Sequence, residues 1–299
     1  MKFPRKQIKA NARAALSANY WPLVGYPFLL GLLLTVVISA LSFKSILSLK
    51  DMATATSMYQ IQEAALASTG ATAVTDTITI IFSIFVLNVI AVGELYFYYK
   101  FYSGSSADFG TFFDGFKNGQ YLHVVGGMFL MTVYVLLWTM LFALPGAILF
   151  SIGFVAYLMY GSGTAMIIIG FVLYFAGIIV AFIKAYQYSM IPYLLIDKPE
   201  FTVKDCFNMT KKMTKGNKWS LFVLDLSFIG WVLLSTLTFF ILFIFYVGPY
   251  MGLAQAGAYD YLKRVHLPDS VDNGPVFQSA DYEANYTGEP NNNDNMFEE

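Results

Sequence analysis

Long runs of apolar residues, separated by short polar segments, dominate the chain. A helix needs about 20 mainly apolar residues to cross the hydrocarbon core of a bilayer. Runs of at least that length begin near residues 21 and 78, and a much longer one extends from 122 to 195. Two more follow between 219 and 262. The pattern predicts an all-α fold, a polytopic transmembrane helical bundle.

The run from 122 to 195 is broken at Leu144-Pro145-Gly146 and at Gly161-Ser162-Gly163, so its length allows two or three crossings. A Lys-rich loop follows it, and cytoplasmic loops collect Lys and Arg. The N-terminus is also basic, so we expect both segments on the same side and two crossings between them. The piece 145–163 is then expected to be re-entrant or to lie at the outer surface, where irregular backbone is tolerated if it is buried in protein.

The expected organisation has three parts: a basic cytoplasmic segment at 1–20, a transmembrane domain at 21–264, and a tail at 265–299. The first apolar run is longer than the apolar core of a signal peptide, which has about 7–15 residues, so we expect an uncleaved span. With both termini in the cytoplasm, only Lys44 and Lys50 of the 18 Lys and Arg residues lie outside. The six expected spans are 21–43, 78–99, 122–143, 164–184, 219–237 and 241–262.

The composition agrees with this organisation. Apolar residues make up 57% of the chain and charged residues only 12%, against about 25% charged in a soluble domain. This balance excludes a disordered chain and a nucleic-acid binder with a basic face. The tail differs from the rest, because residues 265–299 contain eight acids and no Lys or Arg. Such a segment buries too little apolar surface to offset chain entropy, so we expect it to be disordered.

Among the ionisable residues inside the expected spans, Glu94, Lys184 and Asp225 are the candidates for a functional role. Charges within a membrane are costly and are candidates for function. At a rise of 1.5 Å per residue, all three lie within roughly 10 Å of the cytoplasmic face. They could form a carboxylate–lysine–carboxylate cluster. Such a cluster could fix helix packing or act as a proton or ion relay, or the three side chains could reach the headgroups separately.

The loop before the fifth expected span carries four lysines and a tryptophan, Lys211, Lys212, Lys215, Lys218 and Trp219. Each cation near an anionic leaflet contributes about 1 kcal/mol of binding. The lysines either serve only as the positive-inside signal that keeps this loop in the cytoplasm, or they form a site for anionic lipid headgroups.

Signatures of enzymes are missing from the sequence. The only histidines, His123 and His266, have no carboxylate at metal-ligand spacing, and no phosphate loop, dinucleotide fingerprint or nucleophile elbow is present. We therefore expect no catalytic site, metal or cofactor. The single cysteine, Cys206, lies among lysines that favour its thiolate.

Several short motifs resemble those of a known family. They are Asn11 to Leu16, Asp114-Gly115-Phe116, Leu137-Trp138 leading to Leu144-Pro145-Gly146, Tyr188-Ser189-Met190, Met209 to Trp219, Leu224 to Trp231, and Pro249-Tyr250. Over most of residues 5–264 the chain resembles the bacterial integral membrane proteins of the domain of unknown function 975 family, found mainly in Firmicutes.

The resemblance implies a plasma-membrane helical bundle that is distantly similar to the membrane domain of some glycerophosphodiester phosphodiesterases. The resemblance does not identify any catalytic residue. The chain departs from the family pattern at about 148–176, which looks like an insertion, and at Thr238-Phe239-Phe240, which replaces a glycine-rich turn.

The hypothesis that follows is a non-enzymatic envelope protein that binds membrane lipids, especially anionic headgroups, or a membrane protein partner. The alternative is a transporter of small molecules or lipids. No nucleic-acid partner is expected.

Overall fold

The computed structural model describes residues 3–41, 54, 57–117 and 119–267, and in these ranges the chain is almost entirely helical, with no β-strand. The expected all-α fold is confirmed. Most of the expected polar tail, from residue 268 onward, lies outside the described residues. The α-helices are α1 (Arg5–Ala18), α2 (Tyr20–Leu41), α3 (Met58–Phe82), α4 (Asn88–Tyr102), α5 (Tyr121–Tyr160), α6 (Thr164–Tyr188), α7 (Ile191–Asp197), α8 (Val203–Thr214), α9 (Lys218–Leu226), α10 (Ile229–Leu237) and α11 (Gly248–His266).

Three shorter elements join these helices. A π-helical turn, Ser83–Leu87, connects α3 to α4 without a break, and a second, Phe243–Val247, leads into α11. A 3-10 helix, Phe109–Phe116, follows α4 and packs its Phe112 ring on Phe97, with ring centres 4.7 Å apart.

Five stretches within the described residues are long and apolar enough to cross a membrane. They are Tyr20–Leu41, Ala73–Tyr102, Tyr121–Tyr160, Thr164–Asp197 and Lys218–Leu237. Each overlaps one of the six expected spans. The remaining one, 241–262, covers the second π-helical turn and most of α11, whose side chains are largely buried inside the protein.

The piece 145–163, expected to be re-entrant or to lie at the outer surface, does not form a separate irregular segment, because α5 continues as a helix through Pro145 to Tyr160. Proline is tolerated within transmembrane helices when neighbouring groups compensate for the backbone hydrogen bond that proline cannot form. At 1.5 Å per residue, α5 is about 60 Å long, roughly twice the thickness of the hydrocarbon core. Its first turns bury Val124 and Val125 in the bundle, and its second half exposes apolar side chains.

Helices α5 and α6 form an antiparallel hairpin with very close backbones. A Cβ atom added to Gly146 would contact the backbone of Gly170 and Tyr174, and one added to Gly170 would contact the backbone of Phe150. Small residues allow helices to approach this closely in membranes, where packing supplies much of the association energy.

Helix α11 lies at the centre of the remaining helices. Gly252 leaves room for the ring of Tyr98, so α4 packs directly on its backbone. Helix α1 runs antiparallel to α11: Phe3 packs edge-on against Tyr261, and the Tyr250 hydroxyl donates to the Lys9 carbonyl oxygen at 3.3 Å. The basic segment expected at 1–20 therefore contains a helix, α1, that is built into the bundle.

Candidate functional site

The three charged residues singled out in the apolar runs do not form the expected cluster. No ion pair joins any two of them in the part of the chain that the structure describes. The Lys184 ammonium lies 3.8 Å from the centre of the Trp138 ring. It is within electrostatic range of Lys211 and Lys218, so Lys184 belongs with the basic loop and not with the two acids.

Asp225 faces a small cavity between α4, α6, α7, α9 and α11. Its carboxylate accepts a hydrogen bond from the Tyr186 hydroxyl at 2.9 Å and one from the Gln255 amide at 3.4 Å. Ser189 and Tyr193 also line this cavity, which has a volume of about 120 Å³. Both donors to Asp225 are neutral.

Glu94 lines a separate and larger groove. The groove is bordered by Pro27 and Gly31 of α2, by Tyr98 of α4, and by Gly248 at the start of α11, with a volume of about 360 Å³. Its other lining residues are mainly apolar. It therefore combines one carboxylate with an apolar wall of the kind that accepts a lipid chain or a hydrophobic molecule.

A buried ionic network lies at the end of α7, and no pattern in the sequence predicts it. The Lys263 ammonium lies 2.8 Å from the Asp197 carboxylate, with side-chain exposures of only 6% and 10%. Tyr259 donates to the same carboxylate at 2.6 Å, and Lys263 donates to the Tyr99 hydroxyl at 3.0 Å. Asp197 directly precedes Lys198 at the start of a charged segment, and only the packing of α7 against α11 buries it.

The basic loop forms a recess of about 450 Å³ on the protein surface. We call it the basic recess; it is lined by Gln187, Lys211, Lys215, Gly216, Lys218 and Trp219. No acidic side chain lines it. Trp219 is 72% exposed beside the lysines. Four of the five candidate headgroup residues therefore lie together, whereas Lys212 is exposed on α8 outside the lining.

Local structure explains why these lysines converge. Helix α8 begins with a capping box between Thr202 and Asp205. After α8 the chain turns at Gly216, whose φ of +82° is a left-handed conformation that glycine adopts without steric cost. The Lys218 ammonium then donates to the Gln187 side-chain oxygen at 3.0 Å, which holds the start of α9 against the end of α6.

The thiol of Cys206 has the opposite character to the one expected. Cys206 is fully buried, and burial raises the pKa of its thiol to about 11. The lysines around it in sequence point away into solvent, so the thiolate gains nothing from them. Cys206 packs as a small core residue of α8, where burial disfavours its thiolate.

The fold defines the class of protein: it is an all-helical bundle with several helices compatible with membrane insertion. Within the described residues, no group of three or more His, Cys, Asp or Glu side chains could hold a metal ion.

The model of the family described as "Protein of unknown function (DUF975)" matches residues 1–265. The chain therefore belongs to this family, as its motifs indicated. No curated protein and no solved structure matches the chain.

Proposed function

We propose that the protein is a multi-pass protein of a bacterial plasma membrane, with both termini in the cytoplasm, that binds anionic phospholipid headgroups in the basic recess. It does so without catalysing a reaction on them. The observation that carries this proposal is the convergence of Lys211, Lys215 and Lys218 beside the exposed ring of Trp219.

The chemistry of the recess supports a headgroup ligand. Lysine ammonium groups bind phosphate oxygens, and an exposed tryptophan is typical of the membrane–water interface. The Lys184 ammonium, within electrostatic range of Lys211 and Lys218, adds to the positive potential from the membrane side. Three cations at about 1 kcal/mol each correspond to roughly a hundredfold preference for an anionic over a neutral lipid.

Lys212 supplies a matched control for the experiment. It carries the same charge as Lys211 and neighbours it in sequence, but it does not line the recess. The purified full-length protein is titrated with phosphatidylglycerol and, separately, with phosphatidylcholine, and retained lipid is measured by native mass spectrometry. Wild type is expected to retain phosphatidylglycerol selectively.

The double variant Lys211→Gln/Lys215→Gln is expected to bind phosphatidylglycerol about 30-fold more weakly, since two cations are lost. Lys212→Gln is expected to change binding by less than threefold. Equal losses in the two variants would mean unspecific attraction to the positive surface and would overturn the proposal. Competition by excess inorganic phosphate distinguishes a site for free phosphate from a site for the lipid.

A second candidate function is transport of a lipid or small molecule, and the groove around Glu94 favours it. A lone carboxylate in an apolar groove suits a substrate with an apolar body and a polar or cationic head. Uptake or flipping by proteoliposomes, lost in Glu94→Gln and kept in Lys211→Gln/Lys215→Gln, would favour transport over headgroup binding.

A further inference from the structure

The Asp225 carboxyl group at the small cavity is half-buried. It has two hydrogen-bond donors, Tyr186 and Gln255, and neither is charged. In the ranges that the structure describes, no Lys, Arg or His side chain forms an ion pair with Asp225. A carboxylate taken partly out of water is stabilised by a positive charge beside it, so the cavity favours a cation.

Tyr193 presents a second unsatisfied group to the same cavity. Its side chain is 3% exposed, its ring stacks on Tyr259, and its hydroxyl oxygen has no hydrogen-bond partner. A buried hydroxyl without a partner is costly, and native proteins rarely keep one without a ligand or a water beside it. Tyr193 lies within electrostatic range of both Asp225 and Glu94, so its surroundings favour a positive charge.

The remaining polar groups fit a cation better than an anion. The Gln255 amide nitrogen points at Asp225, so its carbonyl oxygen is available as an acceptor. A volume of about 120 Å³ holds an ion with a few waters or a small organic ammonium group, since one water needs only about 10–15 Å³. A divalent ion such as Ca²⁺ generally requires more than one carboxylate, and this cavity has one.

We propose that this cavity is a binding site for a single small monovalent cation. The Asp225 carboxylate supplies the charge, and the oxygens of Tyr193 and Gln255 are neutral ligands. An alkali-metal ion and a primary ammonium group share this chemistry. The site is separate from the basic recess, and its occupation does not depend on lipid binding there.

The test uses the full-length protein in a mild detergent at constant ionic strength. N-methyl-D-glucamine chloride, whose cation is too large for the cavity, is replaced stepwise by sodium, potassium or methylammonium chloride, and the melting temperature is recorded. A ligand that binds only the folded state raises this temperature, and the stabilisation follows RT ln(1 + [L]/Kd), so the titration yields the affinity. We expect at least one small cation to raise it. A shift with sodium or potassium alone identifies an alkali-metal site, and a shift with methylammonium alone identifies an ammonium site.

Two variants and one comparison decide the assignment. Asp225→Asn is expected to abolish the shift. Tyr193→Phe removes only the unpartnered hydroxyl, so it should fold at least as well as wild type without the cation and bind the cation about tenfold more weakly. Glu94→Gln, in the neighbouring groove, removes a charge outside the cavity and should weaken binding less than Asp225→Asn does.

Several results would overturn the proposal. They are no shift with any of the three cations, an unchanged shift in Asp225→Asn, or a loss in Glu94→Gln as large as the loss in Asp225→Asn. If Asp225→Asn does not fold, Tyr193→Phe decides alone: wild-type affinity in that variant rejects the site.

Discussion

The Lys263 ammonium and the Asp197 carboxylate lie 2.8 Å apart in the interior of the protein, although 66 positions separate them in sequence. Tyr259 and Tyr99 complete the hydrogen bonding of the pair. A buried pair is stable only when both charges and their remaining hydrogen bonds are satisfied. The pair therefore joins α7 to α11 in one arrangement.

Removing one member of this pair should be strongly destabilising. Lys263→Met leaves the Asp197 charge buried, and we expect it to lower the free energy of unfolding by about 3–5 kcal/mol. The double variant Asp197→Asn/Lys263→Met removes both charges and should recover more than half of that loss. Thermal unfolding in detergent measures both. Glu200→Gln, which breaks a 3.7 Å pair between the exposed Glu200 and the partly buried Lys198, is the control and should cost less than about 1 kcal/mol. Equal effects of Lys263→Met and Glu200→Gln would contradict this account.

The hairpin of α5 and α6 should depend on its glycines. In Gly170→Val the new side chain would meet the backbone of Phe150, so we expect a strong loss of thermal stability and of protein level in the membrane. Gly126→Ala is the matched control on α5, because nothing lies within 4 Å of the added Cβ atom. It should be neutral or slightly stabilising. A tolerated Gly170→Val would show that the helices are not in contact there.

The turn between α10 and the second π-helical turn holds two phenylalanines in a strained conformation. Phe239 and Phe240 have φ angles of +50° and +63°, in the left-handed region that costs a residue with a side chain roughly 1–2 kcal/mol. Phe239→Gly should therefore raise the free energy of unfolding by about 1 kcal/mol. Leu237→Gly, on exposed helical backbone next to the turn, should lower it by a similar amount. Thermal unfolding of the two variants should shift in opposite directions, and a parallel decrease would disprove the strain.

The start of α8 should be sensitive to acid. The hydroxyl and backbone N–H of Thr202 donate to Asp205 at 2.6 and 3.1 Å, which holds the pKa of that carboxyl below its usual range. Because the folded pKa is depressed, the stabilisation is complete above the unfolded value of about 3.9 and is lost as the pH falls through the folded pKa. Amide exchange in α8, corrected for intrinsic rates, should accelerate between about pH 5 and pH 2. Asp205→Asn should show no such step, and an identical step in both proteins would exclude this residue.

Cys206 should be unreactive in the folded protein. It is fully buried and its thiol pKa is about 11, so a maleimide should label it only after denaturation in SDS. The variant Lys204→Cys/Cys206→Ser moves the thiol to an exposed position of α8 and should be labelled when folded. That variant also shows on which side of the membrane α8 lies. If the Lys-rich loop is cytoplasmic, a membrane-impermeant maleimide should label the variant only in opened cells. Rapid labelling of folded wild type would show that α8 is not docked as described.

The apolar pattern alone determined the all-α class and the approximate positions of five membrane-compatible stretches, because span length follows from bilayer thickness. It also located the basic loop, since four lysines lie within eight positions. Local motifs identified the family. The apolar pattern could not determine whether the helix ends at Pro145. This depends on whether α6 packs closely enough against α5 to compensate for the backbone hydrogen bond that proline cannot form.

Only the tertiary structure decided which charges meet. Glu94, Lys184 and Asp225 have similar depths along their helices, but depth does not fix the direction in which a side chain points around the helix axis. Rotation and packing direct Lys184 to Trp138, Asp225 to Tyr186, and Glu94 to a separate groove. The same packing buries Asp197 against Lys263 and leaves Tyr193 facing the cavity, because contacts between distant helices are set by three-dimensional packing and not by spacing along the chain.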